Sequence, residues 1–312
     1  MAEPQATTLP ATPLRAPART DRRRLPGEPG RSTYLYLAPA FVLYGTFLLF
    51  PFLHTAWISL FQWDGLTPGR WVGLSNYGAL FSNDEIRGAF VHSAILIVFY
   101  SVIPVAIGLL LAAVLSRARV RGLTGFRTIL FLPQVIATVV VALMWRWIYA
   151  PDGVLNQVLR GMGLRGLARS WLGDFTFALP AVGLVGTWVA SGLAMVLFIA
   201  GVQKIPASLY DAARIDGAGA WREFRAVTLP GLRGEIAVAI TLTVIPALRT
   251  FDLIYMTTKG GPGDATLVPA FTVYTRAFQT GQVGSAASIG MALAVLIFAI
   301  TILVLFISER ER

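Results

Sequence analysis

Cysteine is absent from this sequence of 312 residues, and charged side chains are scarce. Without cysteine, neither disulfide bonds nor thiolate metal sites can form. Charged residues make up only 13% of the chain, about half of the usual share in globular domains, whereas hydrophobic residues reach 55%. Because a single soluble core cannot hold so large an apolar excess, the composition predicts an integral membrane protein.

Lysine and histidine are nearly absent as well, which bears on catalysis. A Walker A phosphate loop requires Gly-Lys-Ser/Thr, and neither of the two lysines, Lys204 and Lys259, stands in such a context. The two histidines, His54 and His92, form no H-x-x-x-H pair, and the apolar segments contain no G-x-S-x-G motif or closely paired carboxylates. We therefore predict no catalytic residue, no metal site and no cofactor. Any ATP hydrolysis would belong to another polypeptide.

The apolar segments are long enough to cross a bilayer, whose hydrocarbon core of about 30 Å requires about 20 apolar residues in a helix. The sequence predicts an all-α membrane protein, in which a disordered basic tail over residues 1–32 precedes a transmembrane domain over residues 33–312. The first apolar run is too long for a cleaved signal and is interpreted as a span. Six spans are expected, at about residues 34–61, 90–115, 126–149, 177–202, 233–256 and 284–307.

The basic residues, nearly all of them arginine, are unevenly distributed. Most lie in the N-terminal tail, in the segment 116–127, in the loop 203–233 and at the C-terminus. Short loops rich in arginine stay on the cytoplasmic side of a membrane. We therefore expect both termini and the loop 203–233 in the cytoplasm. This distribution explains the formal net charge of +10 without a nucleic-acid partner.

A polar stretch, residues 206–230, separates the fourth and fifth predicted spans. Helix formers predict one short helix over residues 207–215 and a second over 220–227, which Pro230 is expected to end. Gly217, between the two, suits a corner with positive φ. Two short amphipathic helices between spans are typical of a docking element rather than a catalytic one.

The same stretch resembles the E-A-A loop of bacterial ABC importer permeases of the carbohydrate-uptake type. Asp211 stands where that family has glutamate, which keeps the charge on a side chain one methylene shorter. Short motifs in other parts of the chain also resemble this family, so the resemblance extends over about residues 34–300. The residues that carry it are Asp211-Ala212-Ala213, Asp216-Gly217-Ala218, Phe224, Leu229-Pro230, Gly73-Leu74-Ser75-Asn76-Tyr77, Trp145-Arg146-Trp147, Gly153, Asn156 and Gly260-Gly261-Pro262.

The resemblance implies a function and a set of partners. The chain would be a permease subunit of an ATP-driven, binding-protein-dependent importer, multi-pass in the bacterial cytoplasmic (inner) membrane, and would form half of the path for a sugar or sugar-like solute. Its partners would be membrane lipid, a second permease in a heterodimer, two cytoplasmic ATPase subunits and an extracytoplasmic solute-binding protein. The ATPase would be contacted by Asp211, Ala212, Ala213, Asp216, Gly217 and Phe224.

A solute path requires polar side chains within the spans, where such groups are rare and costly. Tryptophan can add an aromatic face for the C–H surface of a sugar. Three spans supply candidates, which are Gln134 and Thr138 in the third, Thr187, Trp188 and Ser191 in the fourth, and Arg249 and Thr250 beside Pro246 in the fifth. For each Thr or Ser, a hydrogen bond to its own helix is at least as consistent with the pattern, and Trp188 is equally consistent with packing.

Arg249 leaves the class of solute open. Asp252 lies three residues further on, and mutual neutralisation of the two side chains is the simpler interpretation. An unpaired Arg249 would instead favour an anionic solute such as a polyol phosphate. An ion-coupled secondary transporter is another alternative, although Asp252 is its one candidate acid and no second half with matching broken helices is evident. A non-transporting membrane scaffold would explain the spans but not the loop.

Overall fold

The computed structural model describes residues 31–115 and 122–310. The segment 116–121 and nearly all of the predicted basic tail lie outside the described residues. The chain divides into two compact units, of which the first ends at Phe52 and the second begins at Leu53.

The first unit is helical from the start of its described part. Helix α1, Arg31–Tyr44, leads through a π-helical turn, Gly45–Leu49, into α2, Phe50–Ile58. Their continuous stretch Tyr36–Ile58 is long and apolar enough to cross a membrane. This helix matches the first predicted span.

A short loop follows α2 and contains the two strands of the described chain. Strand β1, Phe61–Gln62, pairs antiparallel with β2, Arg70–Trp71, so the prediction of an all-α protein misses this two-residue ladder. Asp64 lies in the turn between the strands, where its carboxylate accepts hydrogen bonds from the backbone N–H of Leu66 at 2.9 Å and of Thr67 at 2.8 Å. These bonds favour the charged form and hold the pKa of Asp64 below its usual value.

The second candidate span is longer than the sequence predicts. It runs continuously over Asp84–Leu115 and therefore begins six residues before the predicted start. Asn83 sets this start, because its side-chain oxygen accepts a hydrogen bond from the backbone N–H of Ile86 and so caps the first turn. The elements of this region are α3 (Ser75–Ser82), α4 (Asp84–Ile97), a π-helical turn (Val98–Val102) and α5 (Ile103–Leu115).

A long central helix organises the packing of the second unit. Its neighbour α5 approaches closely at Gly108, where an added Cβ would lie 2.6 Å from the Cβ of Ala194. Met195 and Phe198 of the central helix are fully buried against this contact region. The elements from here are α6 (Leu123–Phe131), a 3-10 turn (Leu132–Val135), α7 (Thr138–Ile148), α8 (Val154–Gly161), a 3-10 turn (Arg165–Leu167) and the central helix α9 (Ala178–Val202).

The polar stretch and the last spans complete the chain. As predicted, a helix covers residues 207–215, but the second helix continues past Val227 to Gly231 through a π-helical turn, Phe224–Thr228, and includes Pro230. The elements are α10 (Ala207–Ile215), α11 (Ala220–Glu223), a π-helical turn (Phe224–Thr228), α12 (Leu229–Gly231), α13 (Arg233–Leu248), α14 (Asp252–Thr257), α15 (Pro269–Tyr274), a π-helical turn (Thr275–Gln279) and α16 (Val283–Arg310).

The described residues contain four single helices that could cross a membrane, or up to six spans if two bent pairs each count as one. The bent pairs are Thr124–Val135 with Thr138–Ile148, at 101°, and Ala220–Gly231 with Arg233–Leu248, at 70°. The third predicted span is therefore sharply bent within its length, and the helix of the fifth ends eight residues early, at Leu248. Both differences arise where the backbone leaves helical geometry near a proline.

Candidate functional site

The first break in a membrane helix lies between α6 and α7. Pro133 stands in the 3-10 turn, and Ile136 and Ala137 are extended, with ψ of 135° and 133°. Two extended residues cannot continue a helix, so the chain turns by 101° at this point. The side chains of Gln134 and Thr138, on either side of the break, are exposed.

Gly192 of α9 makes room for this break. A Cβ at Gly192 would overlap the carbonyl oxygen of Leu130, so the missing side chain lets the end of α6 lie directly against α9. The bend is thus fixed from one side by a proline turn and from the other by a backbone approach that only glycine permits.

A second break, distinct from the 70° bend between α12 and α13, separates α13 from the short helix α14. Pro246, in the last turns of α13, cannot donate a backbone hydrogen bond. The helix ends two residues later, and the hydroxyl of Thr250 donates to the Pro246 carbonyl at 2.9 Å. Arg249 and Asp252 flank this link, and both side chains are exposed.

The two breaks meet at one cavity of about 400 Å³. Both bring irregular backbone to it, which within a bilayer is tolerated only in protein or beside a polar cavity. Its further wall is α9 around Gly186, where an added Cβ would overlap the Tyr100 ring. The polar and aromatic side chains that line it are Tyr100, Gln134, Thr138, Thr243, Arg249, Thr250, Phe251 and Asp252.

The charges of the cavity are balanced but not paired with each other. Arg249 and Asp252 both line it, yet among the ion pairs of the described residues none joins them. Mutual neutralisation by contact, the simpler interpretation of the sequence, is therefore not what the structure contains. A guanidinium that donates and a carboxylate that accepts are both left facing the cavity.

Four of the seven predicted path residues, Gln134, Thr138, Arg249 and Thr250, come together in this cavity. Two residues that the prediction left out, Tyr100 and Phe251, line it as well. Tyr100 could have been noticed as a polar tip within a span, whereas Phe251 carries no signal in the sequence alone.

The other three predicted path residues, Thr187, Trp188 and Ser191, line a separate and mainly apolar groove on α9. The Thr187 hydroxyl donates to the Phe99 carbonyl at 2.6 Å and thus joins α9 to the neighbouring span. The Ser191 hydroxyl donates to the Thr187 carbonyl at 2.6 Å, within its own helix. Trp188 packs edge-on against Trp145, with ring centroids 5.6 Å apart. These contacts are those of helix packing.

The polar stretch forms a braced pair of helices. Gly217 has a φ of +75° and turns the chain between α10 and α11, and the N–H of Ala218 closes α10 on the Ala213 carbonyl at 2.9 Å. Arg214 of α10 forms ion pairs with Asp211 at 3.3 Å and with the buried Glu223 of α11 at 2.9 Å.

The other residues predicted for the coupling loop differ in exposure, since Ala213 and Phe224 are half-buried. Ala212 and Asp216 are exposed, and the ring of Phe224 stacks on that of Trp221 with centroids 5.6 Å apart. The hydroxyls of Tyr210 and Thr228 lie 3.1 Å apart and add a second brace. Tyr210, Glu223 and Thr228 were absent from the sequence prediction, because their role depends on how the two helices pack.

A cavity at two breaks in membrane helices, together with a braced helical pair on a loop between spans, defines a transport permease. The chain belongs to the family of binding-protein-dependent transport system inner membrane components, whose model matches residues 104–312. This membership confirms the family resemblance of the chain and agrees with a transport subunit rather than an enzyme.

Relatives of known name match the chain over most of its length. It is 38% identical over 276 residues to the probable ABC transporter permease protein YurN of Bacillus subtilis, covering 86% of this chain and 93% of that one. It is 33% identical over 303 residues to the diacetylchitobiose uptake system permease protein NgcF of Streptomyces coelicolor, covering 93% of this chain and 86% of that one. It is 32% identical over 284 residues to the trehalose/maltose transport system permease protein MalF of Thermococcus litoralis, covering 89% of this chain and 94% of that one.

A solved structure has the same fold. A chain of a bacterial ABC transporter involved in the import of the acidic polysaccharide alginate superposes with a TM-score of 0.76, at 23% identity, covering 89% of this chain and 94% of that chain. The likeness establishes an ABC permease fold for the described helices.

Proposed function

We propose that the chain forms one half of the solute path of an ATP-driven sugar importer in the bacterial cytoplasmic membrane. The observation that carries the proposal is the convergence of both helix breaks on one cavity with Arg249, Asp252, Gln134 and Thr138. Membership of a binding-protein-dependent transport family makes an importer the natural function of such a cavity. It also disfavours the secondary transporter and the scaffold.

A neutral sugar suits the cavity chemically. Each sugar hydroxyl both donates and accepts, so it can meet the guanidinium of Arg249, the carboxylate of Asp252 and the amide of Gln134. The ring of Phe251 supplies an apolar face for the C–H surface of a pyranose. The relatives named for diacetylchitobiose and for trehalose and maltose support this class of solute.

An anionic solute, such as a polyol phosphate, is the second candidate. The observation that favours it is Arg249, which faces the cavity without an ion pair to Asp252. Against it stands the carboxylate of Asp252 in the same cavity, which would repel an anion. The balance of charge favours the neutral sugar.

The partners follow from the half-open path and from the braced loop. The exposed Gln134 and Thr138 call for a second permease to close the cavity, in a heterodimer. Both termini and the helices α10 to α12 would lie on the cytoplasmic side. There α10 to α12 would dock onto one of two ATPase subunits through Asp211, Ala212, Ala213, Asp216, Gly217 and Phe224. An extracytoplasmic binding protein would deliver the solute, and one solved structure of this fold is a complex with a periplasmic protein.

Uptake by cavity variants of the reconstituted importer tests the proposal. Because hydrogen bonds to charged groups contribute about 1.5–3 kcal/mol, Arg249→Gln and Asp252→Asn should each raise the KM of a neutral sugar about tenfold or more. Arg165→Gln, which removes an exposed arginine outside the cavity, should leave KM unchanged.

The same variants separate the two classes of solute. An anion would lose uptake in Arg249→Gln but keep or improve it in Asp252→Asn, because the repulsive carboxylate is gone. Parental KM in both cavity variants would show that the solute passes elsewhere.

A further inference from the structure

A series of aromatic rings leads away from the cavity at the two helix breaks. Phe251 lines that cavity, and its ring centroid lies 5.3 Å from that of Tyr255 on α14. It also lies 5.4 Å from the ring of Tyr274, at the end of α15, and that ring lies 5.7 Å from the ring of Phe278 in the following π-helical turn. These four residues, Phe251, Tyr255, Tyr274 and Phe278, form one contiguous aromatic track with one end in the cavity.

The track is supported on one side and open on the other. The ring of the buried Phe271 lies 6.3 Å from those of Phe251, Tyr255 and Tyr274, and so holds them from the protein side. The track rings are themselves accessible, since these three are half-buried and Phe278 is 80% exposed. Rings that are already held in place can stack on a ligand at little further entropic cost.

The directions of two helices show which end of the bundle the track approaches. The second span, Asp84–Leu115, and α9 run in the same direction, because a Cβ at Gly183 would meet the ring of Phe99 and, further along both helices, a Cβ at Gly108 would meet Ala194. The end of α9 leads into α10 to α12. The first turn of α4 therefore lies at the end of the bundle opposite the coupling loop.

The outer end of the track is attached to that first turn. Arg276, two residues before Phe278, forms an ion pair with Glu85 of α4 at 3.3 Å. The track thus runs from the cavity at Phe251 towards the face opposite α10 to α12. In the orientation proposed above, this is the face that receives solute from a binding protein.

The chemistry of the track suits uncharged sugar rings. An accessible aromatic ring offers a flat apolar face to the C–H surface of a pyranose, and the hydroxyls of Tyr255 and Tyr274 donate and accept hydrogen bonds. None of the four side chains carries a charge. Aromatic residues that only anchor a span form a belt at the membrane surface, whereas this track begins at Phe251 inside the cavity.

We propose that the aromatic track binds sugar rings in front of the cavity and makes the importer select linked sugars over single ones. This inference rests on the proposed function, because it extends the same solute path outwards. A single pyranose occupies the position on Phe251 alone, whereas a second linked ring reaches Tyr274 and a third reaches Phe278. Each further stacking contact adds to the affinity, so binding tightens with the number of linked rings.

The test measures sugar binding by saturation-transfer NMR on the importer complex with the full-length chain in nanodiscs. The probes are maltotriose and triacetylchitotriose, each compared with its single sugar, glucose or N-acetylglucosamine. The parent should bind at least one of the two trisaccharides about tenfold more tightly than its single sugar. Tyr274→Leu/Phe278→Leu should lose that advantage and keep the affinity for the single sugar, because Phe251 is unchanged.

Two controls separate stacking from a structural role. Phe81→Leu removes a phenylalanine of α3 that is 80% exposed like Phe278 but lies outside the track, and it should keep the preference for the trisaccharide. Tyr274→Phe/Phe278→Tyr keeps both rings and should keep the preference as well. If the double leucine variant melts below the parent, Phe278→Leu alone provides the test, and it should lose about threefold in trisaccharide affinity.

The outcomes distinguish this inference from the proposed function. Equal affinity of the parent for trisaccharides and single sugars, or an unchanged preference in the leucine variants, would overturn the track. Either result leaves the cavity untouched as the solute path, because Gln134, Thr138 and Arg249 are intact in every variant. The cavity is tested separately, by uptake in its own variants Arg249→Gln and Asp252→Asn.

Discussion

Replacement of Gly217 by valine is expected to uncouple the importer without unfolding it. Gly217 turns the chain between α10 and α11 with a φ of +75°, and a Cβ built there would meet no atom within 4 Å. A side chain at this position would therefore cause no steric clash, and its free-energy cost would be the backbone strain at positive φ alone. It amounts to about 1–2 kcal/mol for an ordinary L-residue in the left-handed region, and more for a β-branched one.

That energy is enough to disturb the loop. A strain of about 1–2 kcal/mol lowers the population of the native corner about 5- to 30-fold, unless the loop relaxes into another shape. In either case α10 and α11 change their mutual angle, and the ion pair between Arg214 and Glu223 that braces them is strained. Because a side chain at position 217 would meet no other part of the protein, the membrane helices should remain intact.

Asparagine supplies the matched control, because its side chain is polar and of similar size but tolerates positive φ. Proteoliposomes with the complete importer are assayed for ATP-driven uptake and for ATP hydrolysis, and the amount of inserted permease is measured. We expect Gly217→Val to be inserted normally but to lose most of its uptake, whereas Gly217→Asn keeps it. Equal uptake by the two variants would refute the role assigned to the corner.

Three further predictions concern orientation and packing. A cysteine at the exposed Ser208 of α10 should react with impermeant thiol reagents only from the cytoplasm, and one at the exposed Leu66 only from outside; reversed labelling would invert the topology. Thr187→Val should lower stability by about 1 kcal/mol in a thermal melt through lost hydrogen bonds, but leave the KM of uptake unchanged. Gly192→Ala should reduce the amount of folded protein in detergent extracts, because its Cβ overlaps the Leu130 carbonyl; a parental yield would contradict that packing.

The sequence predicted the parts of the fold that depend on local pattern. The fourth span, 177–202, is found as Ala178–Val202, and the helix 207–215 is found at its predicted bounds. Gly217 was expected at a corner with positive φ, and its φ of +75° confirms the expectation. Apolar length, helix formers and glycine act within a few residues, so they can be recognised without tertiary contacts.

The break in the third span depends on packing and was beyond such reasoning. Hydropathy alone makes residues 126–149 one span, because it does not register the extended backbone of Ile136 and Ala137. The polar residues of α9 were assigned to the path for a related reason. Their spacing places Thr187 and Ser191 on one face of a helix, but only the position of Phe99 reveals the hydrogen bond that joins Thr187 to the neighbouring span.

Thiol modification within the cavity tests the central claim most directly, that solute passes where the two broken helices meet. The native chain has no cysteine, so Thr138→Cys creates a single target on the exposed rim of the cavity. After complete reaction with a bulky thiosulfonate, uptake by the reconstituted importer should fall to background while ATP hydrolysis continues. Leu66→Cys, modified in the same way on the outer loop, should keep its uptake. Full uptake by the modified Thr138→Cys importer would contradict the account.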